Sequence, residues 1–257
     1  ILTAALFETN HSNVFKILYS EQEPDTVRAA ALLGLILNDG SEKLVAEALA
    51  SGNPALQAAV IEAALQRPAP SLCDKLAAHL ASLPPHLQFR TMAVLKASRN
   101  RAYAKPIEPL LKSPDAERIN AAVEALAWIG TAQSVPAILD SGSDQTRRAL
   151  GMLNADGVDT VLEQEAAKKG NDTRRALAID ALALRGRRDL IQTFFSYAAE
   201  SADPVARAGI SAIVTTGDLS NLEQLIKLMS QREASPIAHE MLKAIIEIMR
   251  NAPEQGK

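Results

Sequence analysis

The chain has 257 residues, 47% hydrophobic, 22% charged and 4% aromatic, with 27 basic against 30 acidic side chains and a net charge of −3. That balance excludes a disordered chain and gives no general attraction to phosphates or anionic lipid. A single cysteine, Cys73, excludes an internal disulfide and a cysteine zinc site, and no apolar run reaches the roughly 18 residues a membrane span needs, the longest running from Ala29 to Leu37.

In chain order, segments rich in Pro, Asp, Ser or Asn precede apolar helical stretches at Asp25, Pro54, Pro85, Asp115, Asp144, Asp172, Asp203 and Ser235. The spacing is nearly constant, and a fixed period in this size range marks a repeat array. No interval is long enough to hold another domain, so residues 1–257 read as one repeat domain. The start at Ile1 and the end at Glu254 to Lys257 read as a segment cut from a longer protein.

Each anchor predicts a helix start, because Asp, Ser and Asn accept the free first-turn amides and Pro fits the first helical position. Gly40, Gly130, Gly157, Gly186 and Gly217 follow about four helical turns later as predicted stops. Seven positions after the anchors stand Leu32, Ile61, Met92, Ala122, Gly151, Ile179, Ile210 and Leu242; ten after stand Leu35, Ala64, Leu95, Ala125, Asn154, Leu182, Ile213 and Ile245. These two offsets share one helical face, and only Asn154 breaks its apolar character. The column at eight is mixed, from Glu62 to Asp180 and Lys243, so that face meets solvent. A second series of helices is predicted between stop and next anchor: 43–50, 72–81, 104–111, 135–139, 158–167, 190–199 and 222–229. The unit is helix, turn, helix. A short pair buries only one stripe and has to share it with its neighbours. The predicted class is therefore all-α, a right-handed α-solenoid of about eight stacked hairpins.

The segments Pro24 to Leu35 (PDTVRAAALLGL), Pro114 to Gly130, Asn171 to Gly186 and Asp203 to Ile213 resemble HEAT repeats, in particular the short bacterial form called phycobilisome-lyase HEAT-like repeats. The resemblance covers essentially the whole chain; Pro85 to Ser98 and Asp144 to Asn154 depart from it, and the latter reads as a bent unit. It implies an armadillo-like solenoid whose second helices line a concave face, and a noncatalytic scaffold or adaptor that binds a protein or peptide there and needs no cofactor. Two alternatives stand beside it. One is an enzyme of the alkylpurine DNA glycosylase or bilin lyase type, and the other is an architectural spacer between domains.

Three positions after the anchors stand Arg28, Gln57, Gln88, Arg118, Arg147 and Arg175. Two readings of this column are open. The side chains form a donor ladder toward a partner, or the arginines tie to Asp25, Asp115, Asp144 and Asp172, their i, i+3 neighbours. Nine basic residues between Arg147 and Arg188 are matched by nine acids from Asp140 to Asp189, so no basic patch stands out and nucleic acid is an unexpected partner. His11, His79, His86 and His239 are scattered, which offers no metal spacing. No nucleophile, phosphate-loop or paired-carboxylate motif is present. Phe194, Phe195 and Tyr197 crowd one helix, so at least one is expected to reach the surface, with Phe195 as the candidate contact; Trp128 is expected to pack under the following turn.

Overall fold

The computed structural model describes residues 12–232 and 235–251, and all regular structure there is helical. Phe7, His11 and Glu254 to Lys257 lie outside the described residues. Contacts divide the chain into two compact units, Ile1–Ile129 and Gly130–Lys257.

In the first unit the helices are α1 (Ser12–Leu18), α2 (Asp25–Asp39), α3 (Glu42–Ala50), α4 (Pro54–Gln66), α5 (Pro70–His79), α6 (Pro85–Ser98), α7 (Ala104–Ile107) and α8 (Ala116–Ile129). They pair as α1/α2, α3/α4, α5/α6 and α7/α8. The second members, α2, α4, α6 and α8, pack in succession, as do the first members α3, α5 and α7. In the second unit the helices are α9 (Val135–Leu139), α10 (Thr146–Met152), α11 (Val158–Ala167), α12 (Asp172–Leu184), α13 (Ile191–Ala198), α14 (Asp203–Thr216), α15 (Leu222–Ser230) and α16 (Pro236–Asn251). The same pairing holds, with α10, α12, α14 and α16 packed one on the next.

Five of the eight anchors are the first residue of a helix, Asp115 and Ser235 directly precede one, and Asp144 stands two residues before α10. The capping differs from expectation. At α2 and α14 the cap residues are Pro24 and Ala202, which make no side-chain cap bond, so Asp25 and Asp203 act from the first turn, where a carboxylate faces the positive end of the helix dipole. True side-chain caps come from Asn53, which accepts from the Ala55 and Leu56 amides, and from Asn171, which accepts from Arg174. The stops differ too: Gly40 and Gly186 are left-handed, whereas Gly217 is extended and Gly157 caps the start of α11.

The core lies where the two apolar columns meet. Leu32, Ile61, Met92, Ala122, Ile179 and Ile210 are buried, as are Leu35, Ala64, Leu95, Ala125, Leu182, Ile213 and Ile245. Asn154 is exposed because α10 ends at Met152; Leu153 is buried in its place. Leu242 departs from its column and is 44% exposed. Met241, Ala244 and Ile248 form the inward stripe of α16 instead, and Leu242, Ile246 and Met249 form an outward one. Close approach is decisive at Gly209, where an added Cβ would stand 2.5 Å from the Ala198 nitrogen, so α13 and α14 touch through backbone. No helix among the described residues is long and apolar enough to cross a membrane.

Replacing Ile179 or Ile210 by Asp puts an unpaired charge into this seam and is expected to lower the unfolding free energy by several kcal/mol. Leu242→Asp is expected to change it by less than about 0.5 kcal/mol. Urea denaturation followed by circular dichroism distinguishes the two classes.

Candidate partner-binding surface

The polar column three residues after the anchors separates into two kinds. Gln57 and Gln88 are 3% and 4% exposed, and each donates its side-chain amide to a carbonyl at the end of the preceding helical element, Leu49 at 3.0 Å and Ala81 at 3.3 Å. Arg175, 3% exposed, does the same through Nε to Ala166 at 2.9 Å, and its other nitrogens hold Glu200 at 2.7 and 2.8 Å. Thr146 completes the pattern in α10 by donating to Ile138. The last carbonyls of a helix have no intrahelical partner, and a donor fixed in the next helix supplies one. Buried in this way, Gln57, Gln88 and Arg175 have no surface left to offer a partner.

The other members are partly open. Arg28 and Arg118 pair with their own anchors, Asp25 at 3.2 Å and Asp115 at 3.7 Å. Arg147 turns away from Asp144 and meets Asp180 of α12 at 3.6 Å. Asp180 is largely enclosed and one of its oxygens has no hydrogen-bond partner, so burial raises its pKa against the lowering pull of Arg147. Pairs of this kind also bridge other neighbouring second helices: Arg90 to Glu62 at 2.7 Å, Lys96 to Glu124 at 2.6 Å and Arg207 to Glu240 at 3.7 Å.

The aromatic expectations are corrected. Phe194, Phe195 and Tyr197 are all buried, at 0%, 4% and 9% exposure, where α13 packs against α14 at the close approach to Gly209, and the exposed face of α13 is left to Gln192, Thr193 and Ser196. Phe195 is therefore not an open contact, though its edge lines a groove with Gln192, Ser196, Gln224 and Lys227. Trp128 is 40% exposed and so is not a core residue.

What covers part of Trp128 is Arg99, whose guanidinium carbon stands 3.9 Å from the ring centroid. Arg99 closes α6 with φ 57 and ψ 14, and is the one non-glycine residue with positive φ among the described residues. An L side chain in that conformation costs about 1 kcal/mol or more relative to glycine. A cation lying on an indole returns roughly 0.5 to 1 kcal/mol when exposed. Sequence reasoning missed Arg99. The available signal was its offset from Pro85, the same offset at which the stops Gly186 and Gly217 follow Asp172 and Asp203.

Two further arginines at the ends of second helices act on neighbouring carbonyls. Arg67 donates to Leu37 at 2.7 Å, and Arg185 donates to Leu150 at 3.3 Å and Leu153 at 2.5 Å. Arg67 and Lys75 also edge a pocket of about 260 Å³ floored by Ile36, Val45 and Leu72. No imidazole or thiol lines it, and Lys75 reaches Glu42 at 3.8 Å. Among the described residues no group of three or more His, Cys, Asp or Glu is placed to hold a metal ion. His79 bonds to the Lys75 carbonyl, and His86 and His239 are exposed on separate helices. A charged tie between pairs stands at Tyr103, whose hydroxyl donates to Asp74 at 2.8 Å; burial, first, and that bond push its pKa up to about 12.

Arg175→Ala strands the Ala166 carbonyl and Glu200, and is expected to cost roughly 3 kcal/mol, whereas Arg147→Ala, which removes a half-exposed arginine making a single 3.6 Å contact to Asp180, is expected to cost less, about 1 kcal/mol. Denaturant midpoints check both. Asp180, with its pKa raised on folding, favours the native state only when protonated. Asp180→Asn is therefore expected to stabilise at pH 7, with the gain shrinking as pH falls through the raised pKa; thermal unfolding at pH 7 and pH 4 reads the difference.

No protein-family model matches the chain, and no curated protein matches it. Among solved structures it is similar to the crystal structure of an engineered protein, with 15% identity, coverage of 95% of this chain and 98% of that one, and a TM-score of 0.30. A likeness that low carries no argument about fold or function.

Proposed function

We propose that the chain is a noncatalytic scaffold or adaptor of HEAT-like repeats that binds a protein or peptide through the face its second helices share, the concave face of such a solenoid. The observation that carries this reading is Trp128, a large aromatic left 40% exposed on α8 and held in place by an arginine. Tryptophan and arginine are the side chains most enriched at the energetic centres of protein interfaces. Around it the second helices are joined by ion pairs, Glu62 with Arg90 and Lys96 with Glu124, which keep a solvent-facing surface in fixed geometry. Leu65 of α4 is the other large apolar side chain exposed on a second helix of the first unit. Because the column at three supplies buried structural bonds at Gln57, Gln88 and Arg175, the recognition surface is better sought in exposed positions such as Trp128 than in that column. The enzymatic alternative draws no support from the pocket beside Arg67, whose one acid, Glu42, is tied in an ion pair with Lys75 at 3.8 Å and which no imidazole or thiol lines.

Trp128→Ala is expected to leave the helical circular dichroism unchanged and the unfolding free energy within about 1 kcal/mol of the parent. Affinity capture from the native source with the parent and the variant, compared by quantitative mass spectrometry, is expected to show at least one protein depleted with the variant. Identical capture with both proteins, or excision of an alkylated base from DNA by the parent, would overturn the proposal.

A further inference from the structure

Trp128 is the sole tryptophan of the chain, and the guanidinium of Arg99 stands over its ring. No carboxylate lies within ion-pair distance of Arg99 among the described residues; nine other arginines are paired in this way and Arg67, Arg148, Arg188, Arg232 and Arg250 are not, but Arg99 alone combines the lack of a carboxylate with a place over the indole. The nearest acid along α8, Glu124, stands one turn before Trp128 and is held by Lys96 at 2.6 Å.

The backbone carries an independent argument. At the stop of α2 the left-handed residue is Gly40, and after α12 it is Gly186, with φ 61 and 73. At α6 the same conformation is occupied by an arginine, with φ 57. A glycine would close the helix without strain, so the side chain is retained against local backbone preference, and such outliers concentrate at functional positions. What the side chain does is stand over an exposed indole, its guanidinium carbon 3.9 Å from the ring centroid. A guanidinium over an aromatic face favours a stacked arrangement, whose N–H edges can donate two parallel hydrogen bonds to a carboxylate. The indole beside it offers apolar area to whatever adjoins that carboxylate.

We infer that the Arg99–Trp128 pair is the docking point for an acidic segment of a partner protein, with an Asp or Glu side chain on the guanidinium and an adjoining apolar side chain on the indole. This rests on the adaptor reading above and adds the chemistry of the partner to it.

The test uses the full chain and the intrinsic emission of Trp128. Three probes are titrated: a synthetic dodecapeptide pool with Asp or Glu fixed on both sides of a central Leu, the same pool with Lys in place of the acids, and a single-stranded DNA dodecamer. The acidic pool is expected to change the emission saturably and the other two are not. The same peptides, carrying fluorescein, are read by anisotropy against Arg99→Gly, which is expected to bind the acidic pool at least about tenfold more weakly while its thermal midpoint stays the same or rises. Arg99→Lys, which keeps the charge and loses the fork, is expected to fall between. No response to the acidic pool, an equal response to the lysine pool, tighter binding of the DNA, or unchanged binding by Arg99→Gly each overturns the inference. Binding of the lysine pool alone at Trp128 would remove the carboxylate and leave the adaptor reading standing. Silence from all three probes, together with identical capture by the parent and Trp128→Ala, would remove both.

Discussion

A short helix with one apolar stripe has no stable existence of its own in water. Within each of the two units of this protein such helices are completed by their neighbours. Within each unit, second helices share the columns that begin with Leu32 and Leu35 in one unit and continue through Ile179 and Leu182 in the other. Stability is then a sum of neighbouring contacts more than a property of any single hairpin. The short first helices show this most clearly: α7 has four residues and α9 five, yet Ile107 and Ile138 are fully buried.

Stacking helices edge to edge creates a second requirement. In four hairpins the carbonyl end of one helical element comes within reach of a donor on the next helix, and the last carbonyls of a helix need such donors. The chain meets this need from side chains of the following helix. Gln57, Gln88, Thr146 and Arg175 all start near the beginning of a second helix and all reach back to the element before it. Arg67 and Arg185 serve the far ends in the same manner. Their chemistry varies between amide, hydroxyl and guanidinium, while the geometric task is constant.

Against that background Arg99 is set apart. It occupies a helix end, as Arg67 and Arg185 do, but its guanidinium stands over Trp128 and takes up no carbonyl. It stands in a backbone conformation suited to glycine. A side chain kept under strain and directed at an exposed aromatic is the feature of this molecule least explained by folding, which is why recognition is assigned to it.

The sequence by itself determined the helical class, the starts of the helices from α2 onward to within two residues, and the two apolar columns; it did not mark α1. These follow from local chemistry, since the period of the apolar residues and the conformational preferences of Pro, Asp, Asn and Gly act within one turn of helix. It left open whether the column from Arg28 to Arg175 faced inward or outward, and it misplaced Trp128, Phe195 and Leu242. Those outcomes depend on how far a side chain stands from a helix that is distant along the chain. Gln57 is buried because Leu49 presents its carbonyl there, Phe195 because Gly209 lets α14 come close, and Leu242 is exposed because α16 turns Met241 toward the core. Only tertiary structure decided them, because burial is a relation between elements and not a property of any one of them.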